Sequence, residues 1–230
     1  MILEYIYKLI TKVYSIIFSC IENIFLKKKN TKSTSLIRIP NVEINQINYK
    51  NFLKIKENKY LTKIIFPEVE VFNLIRNIFK DNDLTNKITK LTGFNYTINF
   101  FTAYETLSIL EIDKNKSWYA NQFHIDKPFS KNMIKLFFSF EDINQDNGPM
   151  IIQDDILTEA TLKKNEILIF FPSKYYHKAG SPKNGSRFMM MLQLNPSTSW
   201  KINKNIYYKQ KHIEPKFPFF TSFYDKKINL

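Results

Sequence analysis

The residues able to do metal or carboxylate chemistry are scarce in this chain and gathered in one stretch. Of three histidines and three arginines among 230 residues, His124, His177 and Arg187 fall between positions 123 and 187. Asp126 stands two residues after His124, and three of the four glycines (Gly148, Gly180, Gly185) punctuate the same stretch. In an extended segment side chains alternate faces, so His124 and Asp126 point the same way and can share one ion. His177, arriving from a distant strand, completes a face of three ligands. Two neutral imidazoles and one carboxylate, with positions left open, form the donor set of non-haem Fe(II) oxygenases. A structural zinc site prefers four closed ligands, often cysteines, and Cys20 is the single cysteine here. Arg187 adds a planar fork suited to holding a carboxylate bidentately, such as the far end of 2-oxoglutarate. The third histidine, His212, is expected to be an ordinary surface or core residue.

The wording around these positions resembles a known family. The run FHIDKPFSKNMIKLFFSFEDINQDNGPM (123–150), then NEILIFFPSKYYHKAG (165–180) and GSRFMMMLQL (185–194), resembles the phytanoyl-CoA dioxygenase-like Fe(II)/2-oxoglutarate dioxygenases. The likeness spans roughly residues 95–195. It implies a double-stranded β-helix, the cupin-like jelly roll, with Fe(II) held by His124, Asp126 and His177. It further implies 2-oxoglutarate paired through its 5-carboxylate with Arg187, and O2 as the second cosubstrate. Succinate and CO2 are then the coproducts as a substrate C–H bond is hydroxylated. Related halogenases lack the carboxylate ligand, so Asp126 favours hydroxylation. One position departs from the pattern: Ala179 stands where a hydroxyl often helps to bind 2-oxoglutarate. Lys135 and Ser139, on the strand after the metal motif, are further candidates for cofactor binding if they face inward. Trp118 and Tyr119 are candidates for a pocket wall or for core. The implied substrate is a small or carrier-linked molecule, and the many lysines would tolerate an anionic one. The alternative is a non-catalytic jelly-roll metal protein attached to a membrane or partner through its N-terminal helix.

Composition bounds the rest. The chain is long enough for one domain with a sizeable core. Its net charge of +13 admits nucleic acid, an anionic membrane surface or an acidic substrate. The basic residues are nearly all lysine, no Arg-rich stripe or nucleic-acid motif is present, and nucleic acid is not an expected partner. One cysteine excludes an internal disulfide framework, and a ferrous site fed by a central metabolite belongs in the cytoplasm.

These ligands need strands to carry them. From Tyr96 the apolar period is two, which predicts one long strand or a hairpin over 98–112 and strands over 134–140, 149–153, 166–171 and 187–194. Short strands are expected within 36–66. Helices are expected over 67–81, with Pro67 in the first turn, and over 84–91, stopped by Gly93. Helices packed on a mainly β, jelly-roll body make an α+β domain over 36–230. Residues 1–29 predict an amphipathic helix, with Glu4, Lys8, Lys12, Ser15, Ser19 and Glu22 on one stripe. No uncharged run there approaches the ~20 apolar residues of a membrane span. The helix is expected to lie in a membrane interface, or to dock on its own domain or a partner. Residues 30–35 read as a linker, and the tail after 195 as a cover for an edge or for the site.

Overall fold

The computed structural model describes residues 2–28, 36–81, 83–116, 120–126, 130–203 and 227–230. The predicted linker 30–35, Trp118, Tyr119, His212 and most of the tail lie outside these residues. Mostly antiparallel strands form two sheets, with few helices.

The larger sheet is built on two long strands, β4 (Asn95–Leu107) and β10 (Ser186–Ser197), which run antiparallel over nearly their whole length. The numbering counts β1 (Leu36–Ile39), β2 (Leu53–Lys56), β3 (Leu61–Ile65), β5 (Ile134–Phe138) and β8 (Ile167–Phe170), with β11 (Lys201–Asn203) and β12 (Lys227–Asn229) late in the chain. The strand order is β1-β8-β5-β10-β4, and β4 continues to β3-β2 at one end and to β11-β12 at the other. Among the described residues, only the β4–β11 pairing is parallel. The smaller sheet is β7-β6-β9, from β6 (Met150–Gln153), β7 (Leu157–Ala160) and β9 (Tyr176–Lys178).

Strand alternation sorts the side chains into two cores. Phe188, Met190, Leu192 and Leu194 leave β10 on one face and meet Ile134, Leu136, Ile167 and Ile169. Helices α2 (Glu68–Arg76) and α3 (Leu84–Thr92) cover that face through Val71, Leu74, Ile75 and Ile88. Met189 and Met191 leave the other face and join Tyr104, Leu168 and Phe170 against Met150, Ile152 and Ala160 of the smaller sheet. All four residues of β8 are buried, as a strand covered on both faces requires.

The helices begin and end where side chains dictate. Pro67 caps α2, and α2 then widens into a π-turn over Asn77–Asp81, so the predicted 67–81 helix is two pieces. Gly93 closes α3 at φ +83, with its N–H bonded to the carbonyl of Thr89. The predicted 98–112 segment is a single strand, and its end is a short 3₁₀ turn at Glu111–Asp113. Helix α1 (Ile2–Phe25) docks beside residues 130–132.

Candidate metal centre

Two short backbone pairings set the ligands. Residues 120–126 run antiparallel beside β9: His124 and His177 exchange both backbone hydrogen bonds, at 3.0 and 2.9 Å. Further along the same edge, the Ala179 N–H bonds the Ala120 carbonyl at 2.8 Å. Directly opposed residues of an antiparallel pair send their side chains to the same side, and the two imidazole centroids lie 4.3 Å apart. Asp126 follows two residues on, its N–H held by the Pro172 carbonyl at 3.0 Å. Its Oδ1 lies 3.6 Å from His124 Nε2 and 3.8 Å from His177 Nε2. The three donor atoms all fall within 4.8 Å of one another. An ion at about 2.1 Å from each donor needs neighbouring donors about 3 Å apart. The two His–Asp distances are therefore less than 1 Å too wide, which small side-chain rotations close.

Electrostatics orient the same three groups. His124 Nδ1 is 2.9 Å from the Gln122 carbonyl, and His177 Nδ1 is 3.2 Å from the Tyr175 carbonyl. A carbonyl only accepts, so each Nδ1 carries the hydrogen and each Nε2 presents its lone pair towards Asp126. Burial pushes the His177 pKa down to about 4, against the opposing pull of Asp126. It is thus a neutral, ligand-ready imidazole near pH 7. Burial pushes Asp126 up, but Lys135 and the two imidazoles outweigh it and hold the carboxyl below its usual value. Lys135 makes an ion pair with Asp126 through Oδ2, so Oδ1 is the oxygen left for an ion. The edge of Phe170 closes the buried side of His177, at 4.7 Å between centroids.

The other candidates are carried by the neighbouring strands. Lys135 shares the inner face of β5 with Phe137, opposite Gln193 of β10 and Phe170 of β8. Ser139 is fully buried, donating to the Phe188 carbonyl at 3.0 Å and accepting from the Glu141 N–H at 3.2 Å. Both roles of its hydroxyl serve the end of β5. Arg187 is 3% exposed and faces inward with Met189 and Met191. Its guanidinium donates to the Gly148 carbonyl and, at 3.4 Å, to Thr106 Oγ1. Its Cα is about 20 Å along β10 from Gln193, six residues at ~3.3 Å each. The triad and Lys135 therefore form one cluster, while Arg187 enters the same face from further along.

The arginine's anchor explains two glycines. A Cβ on Gly148, at φ +71, would lie 2.2 Å from the Ser181 carbonyl carbon, and one on Gly180 would lie 2.1 Å from the Pro149 oxygen. The 147–149 and 180–182 segments cross backbone against backbone, and Arg187 grips that crossing. Sequence reasoning missed the Lys135–Asp126 pair, although strand alternation placed Lys135 on one of two faces. It also missed the carbonyls of Gln122 and Tyr175, which carry no signal because every residue has one.

No family model and no curated protein matches the sequence. Solved structures match in fold. The non-haem alpha-ketoglutarate-dependent epimerase SnoN from nogalamycin biosynthesis aligns with a TM-score of 0.51 at 11% identity, over 71% of this chain and 78% of its own. SnoN in complex with Fe3+, alpha-ketoglutarate and nogalamycin RO aligns with a TM-score of 0.50 at 10% identity, over 71% and 80%. This chain shares its fold with these proteins.

Proposed function

We propose that the chain is an Fe(II)- and 2-oxoglutarate-dependent oxygenase of the phytanoyl-CoA dioxygenase-like type, built on a double-stranded β-helix. It hydroxylates a small or carrier-linked substrate. One observation carries the proposal: both imidazoles present Nε2 to a single carboxylate oxygen while their Nδ1 atoms are tied to carbonyls. The donor set fits Fe(II), since three ligands on one face leave positions for cosubstrates, unlike a closed structural site. The fold shared with SnoN, an alpha-ketoglutarate-dependent epimerase, supports the same reading.

When bound, Fe(II), 2-oxoglutarate and O2 supply the oxidising chemistry, releasing succinate and CO2. The chain's own residues bind and orient. His124, Asp126 and His177 would hold the ion, and Lys135 fixes Asp126 as a one-oxygen ligand by occupying Oδ2. Phe170 shields His177 from water. Arg187, already cationic and buried, is the proposed partner of the 2-oxoglutarate 5-carboxylate, with Gly148 and Thr106 orienting its fork. The test is succinate release from 2-oxoglutarate in the presence of Fe(II) and O2, with or without substrate. Asp126→Ala should abolish it at any 2-oxoglutarate concentration. Equal succinate from wild type and Asp126→Ala would refute the assignment.

A further inference from the structure

Helix α1 is docked the opposite way round from an ordinary surface helix. Its polar stripe faces the domain. Ser15, Ser19 and Glu22 are buried, with the Lys131 N–H bonded to Ser19 Oγ and both Ser130 and Asn132 donating to Glu22. Its apolar face points outward: Ile10, Val13, Ile17, Ile21, Ile24 and Phe25 are each 46–76% exposed. At 100° per residue these side chains share one half of the helix. A soluble surface rarely leaves so continuous an apolar stripe without a partner.

The helix ends beside a cationic hollow. Lys27 and Lys174 line a hollow of about 30 Å³, together with Thr92 and Asn132. That volume takes about two waters, or the oxygens of one phosphate group. The Lys174 ammonium sits over the Phe171 ring, 4.5 Å away, and desolvation and the charge of Lys27 lower its pKa. Among the described residues no carboxylate pairs with either lysine. Lys28, Lys90 and Lys131 are exposed around the same end. Two like charges at a hollow walled by Thr92 and Asn132 and by Leu91, Phe94 and Phe171, at the foot of an apolar stripe, complement a phosphate attached to an apolar body.

We infer that α1 and the Lys27–Lys174 hollow form a docking surface for an anionic phospholipid bilayer. The apolar face lies in the interface, and a lipid phosphate enters the hollow. The helix lies in the plane of the membrane, since among the described residues no helix is long and apolar enough to cross one. Charge selects lipid over a second copy of the chain. Each copy carries +13, and apposing two such bodies brings like charges together. The inference is independent of the metal centre.

Cys20, the single cysteine, is exposed on α1 and takes an environment-sensitive fluorophore directly. The intact labelled protein is mixed with phosphatidylcholine vesicles, alone or with about one-third phosphatidylglycerol, and binding is read by flotation. The protein should float with the anionic vesicles, stay behind with the neutral ones, and show a blue shift at Cys20. Ile17→Asp and Ile21→Asp, both at exposed sites, should remove binding while the far-UV spectrum stays unchanged. The double variant Lys27→Glu/Lys174→Glu should weaken binding roughly tenfold or more. Inorganic phosphate alone should leave the Cys20 emission unchanged. Equal flotation on both vesicle types, no flotation, or a vesicle-free dimer that Ile17→Asp dissolves would each overturn the inference.

Discussion

Asp126 has two oxygens with two different neighbours, and that asymmetry decides what each nearby residue does. Oδ1 faces the imidazoles and Oδ2 faces Lys135. Lys135→Met should free Oδ2, loosen the carboxylate and weaken Fe(II) binding about 10- to 100-fold, the usual cost of losing a group that orients a ligand. Equilibrium Fe(II) titration with the circular dichroism spectrum as a folding control measures it; unchanged affinity would deny Lys135 this role. Arg187 is the complementary case. A lysine there keeps the charge but loses the two-pronged donor. Arg187→Lys should retain Fe(II) and raise the 2-oxoglutarate dissociation constant about ten- to a hundredfold, at about 1.4 kcal/mol per factor of ten. If 2-oxoglutarate affinity is the same in both proteins, the arginine serves only the Gly148–Gly180 crossing. At this scale the sequence was informative where chemistry restricts residue type. His124, Asp126 and His177 converge because a period of two and a β-bridge leave them little choice. Ser139 was illegible, because the same alternation that points a serine inward cannot say whether a backbone carbonyl will claim its hydroxyl.

Among the elements, α1 departs furthest from expectation. Its amphipathic pattern was plain, but the pattern does not say which face docks, and polar docking depends on Ser130 and Asn132 more than a hundred residues away. Glu22 makes this interface sensitive to pH. Burial pushes its carboxyl up to about 7, against the two hydrogen bonds from Ser130 and Asn132, and its second oxygen is buried without a hydrogen-bond partner. The folded carboxyl thus binds a proton between its ordinary 4.5 and about 7, where the unfolded one does not. Stability from Glu22 is therefore fully present below pH 4.5 and falls as pH rises to about 7, by up to about 3 kcal/mol. His177 works the other way, because its depressed pKa costs the fold stability as pH falls from 6.5 towards 4. The two are separated by comparison with Glu22→Gln. The variant should gain melting temperature relative to wild type at pH 8, and that advantage should disappear at pH 5. A constant difference across that range would place the ionisation of Glu22 elsewhere. The short strand β7 was missed for a related reason, and β9 was expected only as the strand that brings His177: three or four residues are too few to show a period, and their pairing partners define them.

On the scale of the whole molecule, the mainly antiparallel body with helices on one face follows from the run of alternating segments after Tyr96. The division into two cores does not, since β10 is buried on both faces and its sequence, SRFMMMLQL, hides the alternation. Leu26, just after α1, packs at the edge of one core, and none of the described α1 side chains joins it. A chain of residues 30–230 should therefore fold, melt cooperatively and bind Fe(II), while losing any affinity for anionic vesicles; scanning calorimetry with and without Fe(II) measures it. Aggregation or loss of the transition would make α1 part of the domain's core. The central claim is that the triad holds Fe(II) together with 2-oxoglutarate, and the anaerobic titration of the apo protein with both tests it most directly. A weak visible charge-transfer band should appear only when both are present, saturate at one equivalent of iron, and be absent in Asp126→Ala. No band in the wild type at saturating Fe(II) and 2-oxoglutarate, or an equal band in Asp126→Ala, would contradict it.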